Sequence, residues 1–189
     1  QGASPFPSYG GVQDTYISNY AVGDDTTSFS ASAFIALRAD NRRVGLMRFD
    51  VSIIPSAAQV LTASLSLYAD SQTAGSLPLT VSAHEVLRPW VGEQATWLQA
   101  ANGSPWGAPG ASADSDRRSV PAVTQTVDRG DAWYEFDLRD LVQSWTAKPA
   151  ANWGVLLAAQ SSGDVEFLLR SSDYANPSYR PKLVVTYIP

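Results

Sequence analysis

The segment 60–68 alternates apolar and polar side chains with a period of two. Such alternation predicts a β-strand with one face in a core and the other in solvent, because successive side chains of a strand point to opposite sides. The pattern places four apolar residues on the inner face: Leu61, Ala63, Leu65 and Leu67. Segment 77–83 repeats this alternation, whereas segment 44–51 is apolar on both faces, which is typical of a strand within a sandwich.

Short apolar segments of the same kind recur along the chain between its 12 prolines and 13 glycines. One helix interrupts them: Leu138, Leu141, Val142 and Trp145 form an apolar stripe at helical spacing, and Asp137 can cap its first turn. There is no alternation of strands and helices, so a parallel sheet is not expected. The sequence therefore predicts an all-β jelly-roll β-sandwich with one short helix.

Segment 87–132 is rich in Pro and Gly and contains tryptophans, which predicts a long loop that is either functional or packed against the body. No internal repeat and no second domain are recognisable. We expect an N-terminal arm over residues 1–13 and a single β-sandwich domain over residues 14–189.

Charge and hydropathy exclude two classes of partner. The chain has 13 Lys and Arg residues against 18 Asp and Glu residues, a formal net charge of −5, which argues against a nucleic-acid partner. The longest apolar segment, 153–159, is much shorter than the roughly 18 residues of a membrane helix, so no membrane span is expected.

Cysteine is absent and His84 is the only histidine. Thiolate catalysis, disulfides and sulfur-based metal sites are therefore excluded, and no hydrolytic triad can be assembled. His84 would be either a general base or, as we expect, a solvent-facing residue of its strand. The sequence predicts that the protein is not an enzyme. The start at Gln1 fits either a processed signal peptide or an arbitrary boundary, and we expect a secreted chain.

Aspartates in oxygen-rich loops suggest a structural calcium ion as the one metal to consider. The candidate ligands are Asp14, Asp24 and Asp25. Turn-forming aspartates explain the same residues without a metal, so both interpretations stand at this point.

Aromatic and arginine side chains are the candidates for ligand binding. Tryptophan rings stack on the apolar faces of sugars, and arginine forks match carboxylates, which favours a polysaccharide, in particular a uronate-rich one. Packing in the core and solvated loop charge are the alternatives, and core packing is the expectation for Trp133 and Trp145. The candidate ligand-binding residues are Arg42, Arg43, Trp90, Trp97, Trp106, Arg117 and Arg118.

The N-terminal segment carries apolar residues that could add a strand to a neighbouring copy of the chain. This second hypothesis makes the protein a structural subunit of an extracellular filament or surface layer. The candidate assembly residues are Phe6, Tyr9, Val12, Tyr16 and Ile17.

Six motifs resemble those of the DNRLRE-domain family and occur in that family's order. They lie at 43–68, 90–106, 136–145, 152–157, 170–173 and 180–187, with Trp153 in place of a tyrosine and Asp173 in place of a glutamate. The resemblance implies a secreted bacterial or archaeal jelly roll without catalytic activity, similar to carbohydrate-binding modules, some of which bind alginate. The leading hypothesis is therefore a non-catalytic carbohydrate-binding or adhesion module of the cell surface or matrix.

Overall fold

A computed structural model describes residues 9–189. In that part of the chain one α-helix, α1 (Arg139–Ala147), accompanies twelve strands. The strands are β1 (Val12–Ser18), β2 (Phe34–Arg38), β3 (Arg43–Phe49), β4 (Gln59–Ala74), β5 (Leu79–Glu85), β6 (Gln99–Ala101), β7 (Ser104–Pro105), β8 (Val123–Val127), β9 (Ala132–Asp137), β10 (Val155–Gln160), β11 (Glu166–Arg170) and β12 (Lys182–Ile188).

Ten of these strands form one curled antiparallel sheet in the order β12-β4-β11-β2-β3-β10-β5-β8. β1 pairs with β3, and β9 pairs with β4. β2 and β3 share only the pair Arg38 and Arg43, so the sheet bends at this point and its two halves face each other. The predicted all-β, sandwich-like fold with one short helix is confirmed.

The main core lies between the two halves of the sheet. Leu37, Leu65, Phe136, Leu157 and Phe167 are fully buried there. Their burial follows from the period of two, because residues 65 and 67 of β4 lie opposite residues 136 and 134 of β9 on the inner face.

Helix α1 covers one end of this core with Val142 and Trp145. The Asp137 carboxylate accepts a hydrogen bond from the Arg139 amide at 3.0 Å, which satisfies one free donor of the first turn. The predicted apolar stripe and its end before Pro149 both agree with the structure.

A second apolar cluster lies on the other side of the β1-β3-β10 half of the sheet. Ile17, Val44, Leu46 and Leu156 form its floor, and side chains of segment 87–118 cover it. Strand β3 is therefore buried on both faces, which explains its two-sided apolarity.

Two local predictions were wrong. Leu61 is 43% exposed and Val60 is buried instead, because the β4–β12 pairing shifts register between Thr186 and Tyr187 and so reverses the inner face at that end. The segment predicted to be a long loop contains β8, which pairs with β5 over five residues. None of the helices in residues 9–189 has the length and apolarity of a membrane span.

Candidate functional site

The three tryptophans of segment 87–118 belong to the second cluster. Trp90 is 2% and Trp106 is 5% exposed. The Trp90 indole N–H donates to the Trp153 carbonyl at 2.8 Å, and the Trp106 indole N–H donates to the Thr96 carbonyl at 2.9 Å. Trp97 is half-buried against the same cluster. Since Trp90 and Trp106 are buried, they hold the segment on the sheet and do not present a surface for sugar stacking.

The buried carboxylate of Asp116 fixes the same segment from within. Its two oxygens accept hydrogen bonds from the amides of Gly107 at 2.8 Å, Ala108 at 3.1 Å and Ala113 at 3.3 Å. Arg88 forms an ion pair with it at 3.3 Å. One side chain thus replaces the regular backbone pairing that a Gly- and Pro-rich loop lacks.

The four candidate arginines occupy two separate places in the structure. Arg43 pairs with Glu166 at 2.8 Å, and Arg42 donates to the Asn19 side chain at 3.0 Å. Arg118 pairs with Glu85 at the end of β5 at 3.1 Å, away from Arg42 and Arg43 at the start of β3.

Arg117 is half-buried, and this burial lowers the pKa of its guanidinium. His84, expected to face solvent, is 7% exposed beside this segment. Its Nδ1 lies 2.8 Å from the Arg118 carbonyl, and burial lowers the pKa of its ring.

The candidate calcium ligands engage the protein itself. The Asp14 carboxylate is 5% exposed and accepts a hydrogen bond from the Ser172 amide at 2.9 Å. Asp24 accepts from the Ser18 hydroxyl at 2.5 Å, and Asp24 and Asp25 lie in a 3-10 turn. Residues 9–189 contain no group of three or more His, Asp or Glu side chains that could hold a metal ion.

Of the candidate assembly residues, Phe6 lies outside the described part of the chain. Val12, Tyr16 and Ile17 belong to β1, which pairs with β3 of the same chain over seven residues. Ile17 is fully buried, and Tyr16 stacks on Phe29 with ring centroids 4.3 Å apart. The Tyr9 hydroxyl donates to the Asp50 carbonyl at 2.9 Å.

The solvent side of strands β9, β4 and β12 presents a different set of side chains, which we call the outer face. Trp133 lies opposite Tyr68, and Ser66 lies between Glu135 and Lys182. Trp133 is 37% exposed and is the most exposed of the six tryptophans. The Lys182 ammonium lies 4.2 Å from the centroid of its ring. An aromatic surface, a cation and a carboxylate therefore meet beside a hydroxyl-lined strand.

An arginine held between tyrosine rings supports this face. The Arg170 guanidinium lies 4.3–4.4 Å from the ring centroids of Tyr68, Tyr174 and Tyr179. Asp70 pairs with it at 2.6 Å, so its charge is neutralised within the cluster. Tyr68 also packs edge-on against Trp133, with centroids 5.2 Å apart. These contacts fix the position of Trp133.

A concave surface elsewhere on the molecule, which we call the polar groove, has a volume of about 890 Å³. Segments that are distant in sequence converge on it from β1, β3, three loops and the chain after α1. Its lining comprises Gly10, Gly11, Val12, Gln13, Asp14, Ser30, Ala31, Arg48, Asp50, Gly92, Glu93, Pro149, Asn152, Ser172 and Asp173.

The electrostatics of the polar groove are predominantly acidic. Burial raises the pKa of Asp14 to about 6, and the nearby charge of Asp173 acts in the same direction. The hydrogen bond from the Ser172 amide opposes this shift without reversing it. Asp50 behaves differently, because a hydrogen bond from the Ser52 amide lowers its pKa. Arg48 is the cation that lines the groove.

Sequence reasoning missed both surfaces. Trp133 was predicted to be a core residue, yet it faces solvent because Tyr134 and Phe136 take the inner face of β9. The alternation within 132–137 predicts Tyr134 and Phe136 on one face of the strand and Trp133 on the other, so the sequence does indicate that Trp133 faces solvent. The polar groove leaves no such trace, since its residues come from segments spread between positions 10 and 173.

A family model described as the disaggregatase related repeat domain matches residues 21–185. This match overturns the resemblance to the DNRLRE-domain family, which was wrong. The motifs behind that resemblance lie mostly in β3, β4, α1, β10 and β12, where they are scaffold patterns of alternating strands and a capped helix. Such patterns indicate a fold, which many families share, and do not identify one family. The curated proteins give no match.

Proposed function

This chain belongs to the disaggregatase related repeat domain family, and we propose that it is a non-catalytic carbohydrate-binding module of the cell surface or extracellular matrix. Its ligand is a polysaccharide outside the cell, and it acts by adhesion. Membership of the family does not by itself assign this activity, and the support for it comes from the surface of the molecule.

The outer face is the observation that carries the proposal. Trp133 is held in place by Tyr68 and keeps 37% of its surface exposed, which supplies apolar area for a sugar ring. Lys182 and Glu135 flank it with one donor and one acceptor, and the Ser66 side chain lies between them. An aromatic ring next to fixed polar groups is the arrangement by which rigid β-proteins recognise sugars.

Lys182 supports an acidic polysaccharide better than the arginine clusters do. Arg43 and Arg118 are each paired with a carboxylate of the protein, so little of their charge remains for a ligand. The Lys182 ammonium lies over Trp133 at 4.2 Å. A uronate residue stacked at Trp133 would place its carboxylate within reach of this ammonium.

The substitution Trp133→Ala tests the proposal. We expect it to weaken retention by polysaccharide gels about tenfold, equivalent to about 1.4 kcal/mol, because one stacking surface is removed. Affinity electrophoresis on alginate, polygalacturonate and neutral gels measures the change. Lys182→Gln should weaken only the binding to acidic gels, with Lys182→Arg retaining it.

Tyr187→Ala is the matched control, because Tyr187 is also 37% exposed and lies on β12 about 16 Å along the strand from Lys182. Equal retention of the Trp133→Ala and Tyr187→Ala proteins on every gel would contradict a site at the outer face. If the wild-type protein migrates equally in gels with and without each polysaccharide, carbohydrate binding itself is contradicted.

The alternative, a structural subunit of a filament or surface layer, is favoured by one observation. Strand β12 carries exposed apolar side chains, with Val184 at 59% and Ile188 at 52%, and Leu61 at 43% lies next to it on β4. Apolar residues on an exposed strand are suited to pairing with another chain. Under this alternative, wild-type samples would form concentration-dependent polymers and would ignore the gels.

A further inference from the structure

We propose that the polar groove is a second saccharide site, which binds uncharged sugar residues through its carboxylates and Arg48. The ligand class rests on the proposed function, whereas the site itself rests on the groove's own geometry. The outer face and the groove would then bind chemically different parts of a glycan.

Several polar groups that line the groove form no hydrogen bond or ion pair with residues 9–189. In residues 9–189 the side chain of Arg48 forms no ion pair or hydrogen bond, and its guanidinium lies 5.8 Å from the Trp153 ring. The side chains of Glu93 and Asp173 likewise have no hydrogen bond within that part of the chain. The Oε1 atom of Gln13 is buried and unpaired in the same residues. Glu93 and Asp173 are exposed side chains, so their oxygens are accessible from the groove. The Gln13 oxygen is the buried atom of this set, and buried polar atoms are normally paired. Together these groups can form hydrogen bonds with a ligand in the groove.

The charge of the groove selects the kind of sugar. Among the described lining residues, four acids oppose the single cation Arg48. They are Asp14, Asp50, Glu93 and Asp173. Ionised carboxylates accept strong hydrogen bonds from hydroxyl groups but repel an anionic ligand. A sugar without a carboxylate or sulfate therefore suits this lining, in contrast to the outer face, where Lys182 is exposed.

The size of the groove also fits an oligosaccharide. Its volume of about 890 Å³ is within the range of about 300–1,000 Å³ that is typical of small-molecule sites. Gly10 forms part of the wall, and a Cβ atom there would meet nothing within 4 Å, so the backbone at this point is open to a flat sugar ring.

An NMR titration of the full chain tests this site. The probes are cellopentaose, mannopentaose and maltopentaose, with trigalacturonate as the anionic comparison. We expect at least one neutral oligosaccharide to shift the amide signals of Gly11 and Gly92. Arg48→Gln, and Glu93→Gln combined with Asp173→Asn, should each weaken this binding at least fivefold.

Matched controls are Arg129→Gln and Asp114→Asn, which change an exposed arginine and an exposed aspartate away from the groove. Because all these residues are at the surface, the variants should keep the wild-type spectrum without ligand. The inference is overturned if none of the neutral probes shifts the groove amides, if the groove variants bind like wild type, or if trigalacturonate binds the groove more tightly than the neutral sugars.

Failure of this inference and failure of the proposed function give different results. If only the groove is misassigned, the groove variants bind gels like wild type and Trp133→Ala still loses retention. If the function is misassigned, wild-type protein is retained by no polysaccharide and shows no shift with any oligosaccharide, and both proposals fail.

Discussion

Asp14 shows how much one buried side chain can cost this fold. Burial raises the pKa of its carboxyl group from 3.8, the ordinary value for aspartate, to about 6. A raised carboxyl pKa means that the folded state binds the proton more tightly, so stability is lost as the pH rises from about 4 to about 6. Above that window the ionised group costs roughly 3 kcal/mol.

Asp14→Asn should therefore stabilise the protein near pH 7.5 and have little effect near pH 4. The amide oxygen can still accept the Ser172 N–H, while the charge is removed. Urea unfolding at the two pH values measures the difference. Asp173→Asn, an exposed neighbour, serves as the control and should give a much smaller change. An equal effect of Asp14→Asn at both pH values would contradict the raised pKa.

The tryptophans show that amino-acid type alone does not decide whether a side chain is buried or exposed. Trp90 and Trp106 were assigned to a ligand because they lie in a Pro- and Gly-rich segment, but the structure buries both. Trp133 was assigned to the core and is exposed. The amino-acid type is the same in the three cases, and only the neighbouring strands and the covering segment decide which ring meets solvent.

At the scale of elements, segment 87–118 is held by Asp116 and by buried indoles more than by regular pairing. We expect Asp116→Asn to loosen residues 104–118, because an amide nitrogen would face backbone N–H donors that now meet a carboxylate oxygen. The local free energy of opening should fall by roughly 2–4 kcal/mol. Hydrogen exchange of the amides of Gly107 and Ala113 measures it.

Asp114→Asn is the control for this experiment, since Asp114 is exposed in the same turn. The amides of β10 should keep their protection in both variants. The main core packs on the side of this strand that faces away from segment 87–118, so loosening the segment leaves that packing intact. Unchanged exchange at Gly107 in Asp116→Asn would show that the carboxylate does not organise the segment.

The sequence predicted those elements whose pattern is local. The central part of β4 and the helix α1 follow from period-two and helical spacing, because each has one face in the main core. Strand β8 (Val123–Val127) was missed because its alternation is short and lies within a segment whose Pro and Gly content predicts a loop. The N-terminal end of β4 was misassigned because its inner face depends on a register shift in the pairing with β12. The sequence of β4 alone carries no information about that pairing.

At the scale of the whole molecule, the two proposed sites are connected by one stretch of chain. Ser172 and Asp173 line the polar groove, and Tyr174, Tyr179 and Lys182 contribute to the outer face and its support. A rigid body with two weak sites gains affinity when both engage the same polymer. Both proposed sites are assembled from residues that are distant in sequence, so neither corresponds to a local motif.

The most direct test of the central claim is a combined binding and turnover measurement on wild-type protein. Purified chain is incubated with alginate, polygalacturonate and neutral polysaccharides, and both retained protein and newly formed reducing or unsaturated ends are measured. We predict retention by at least one polysaccharide that the Trp133→Ala protein loses, with no new chain ends over many hours. Accumulation of new chain ends, or the absence of retention by every polysaccharide, would contradict a non-catalytic binding module.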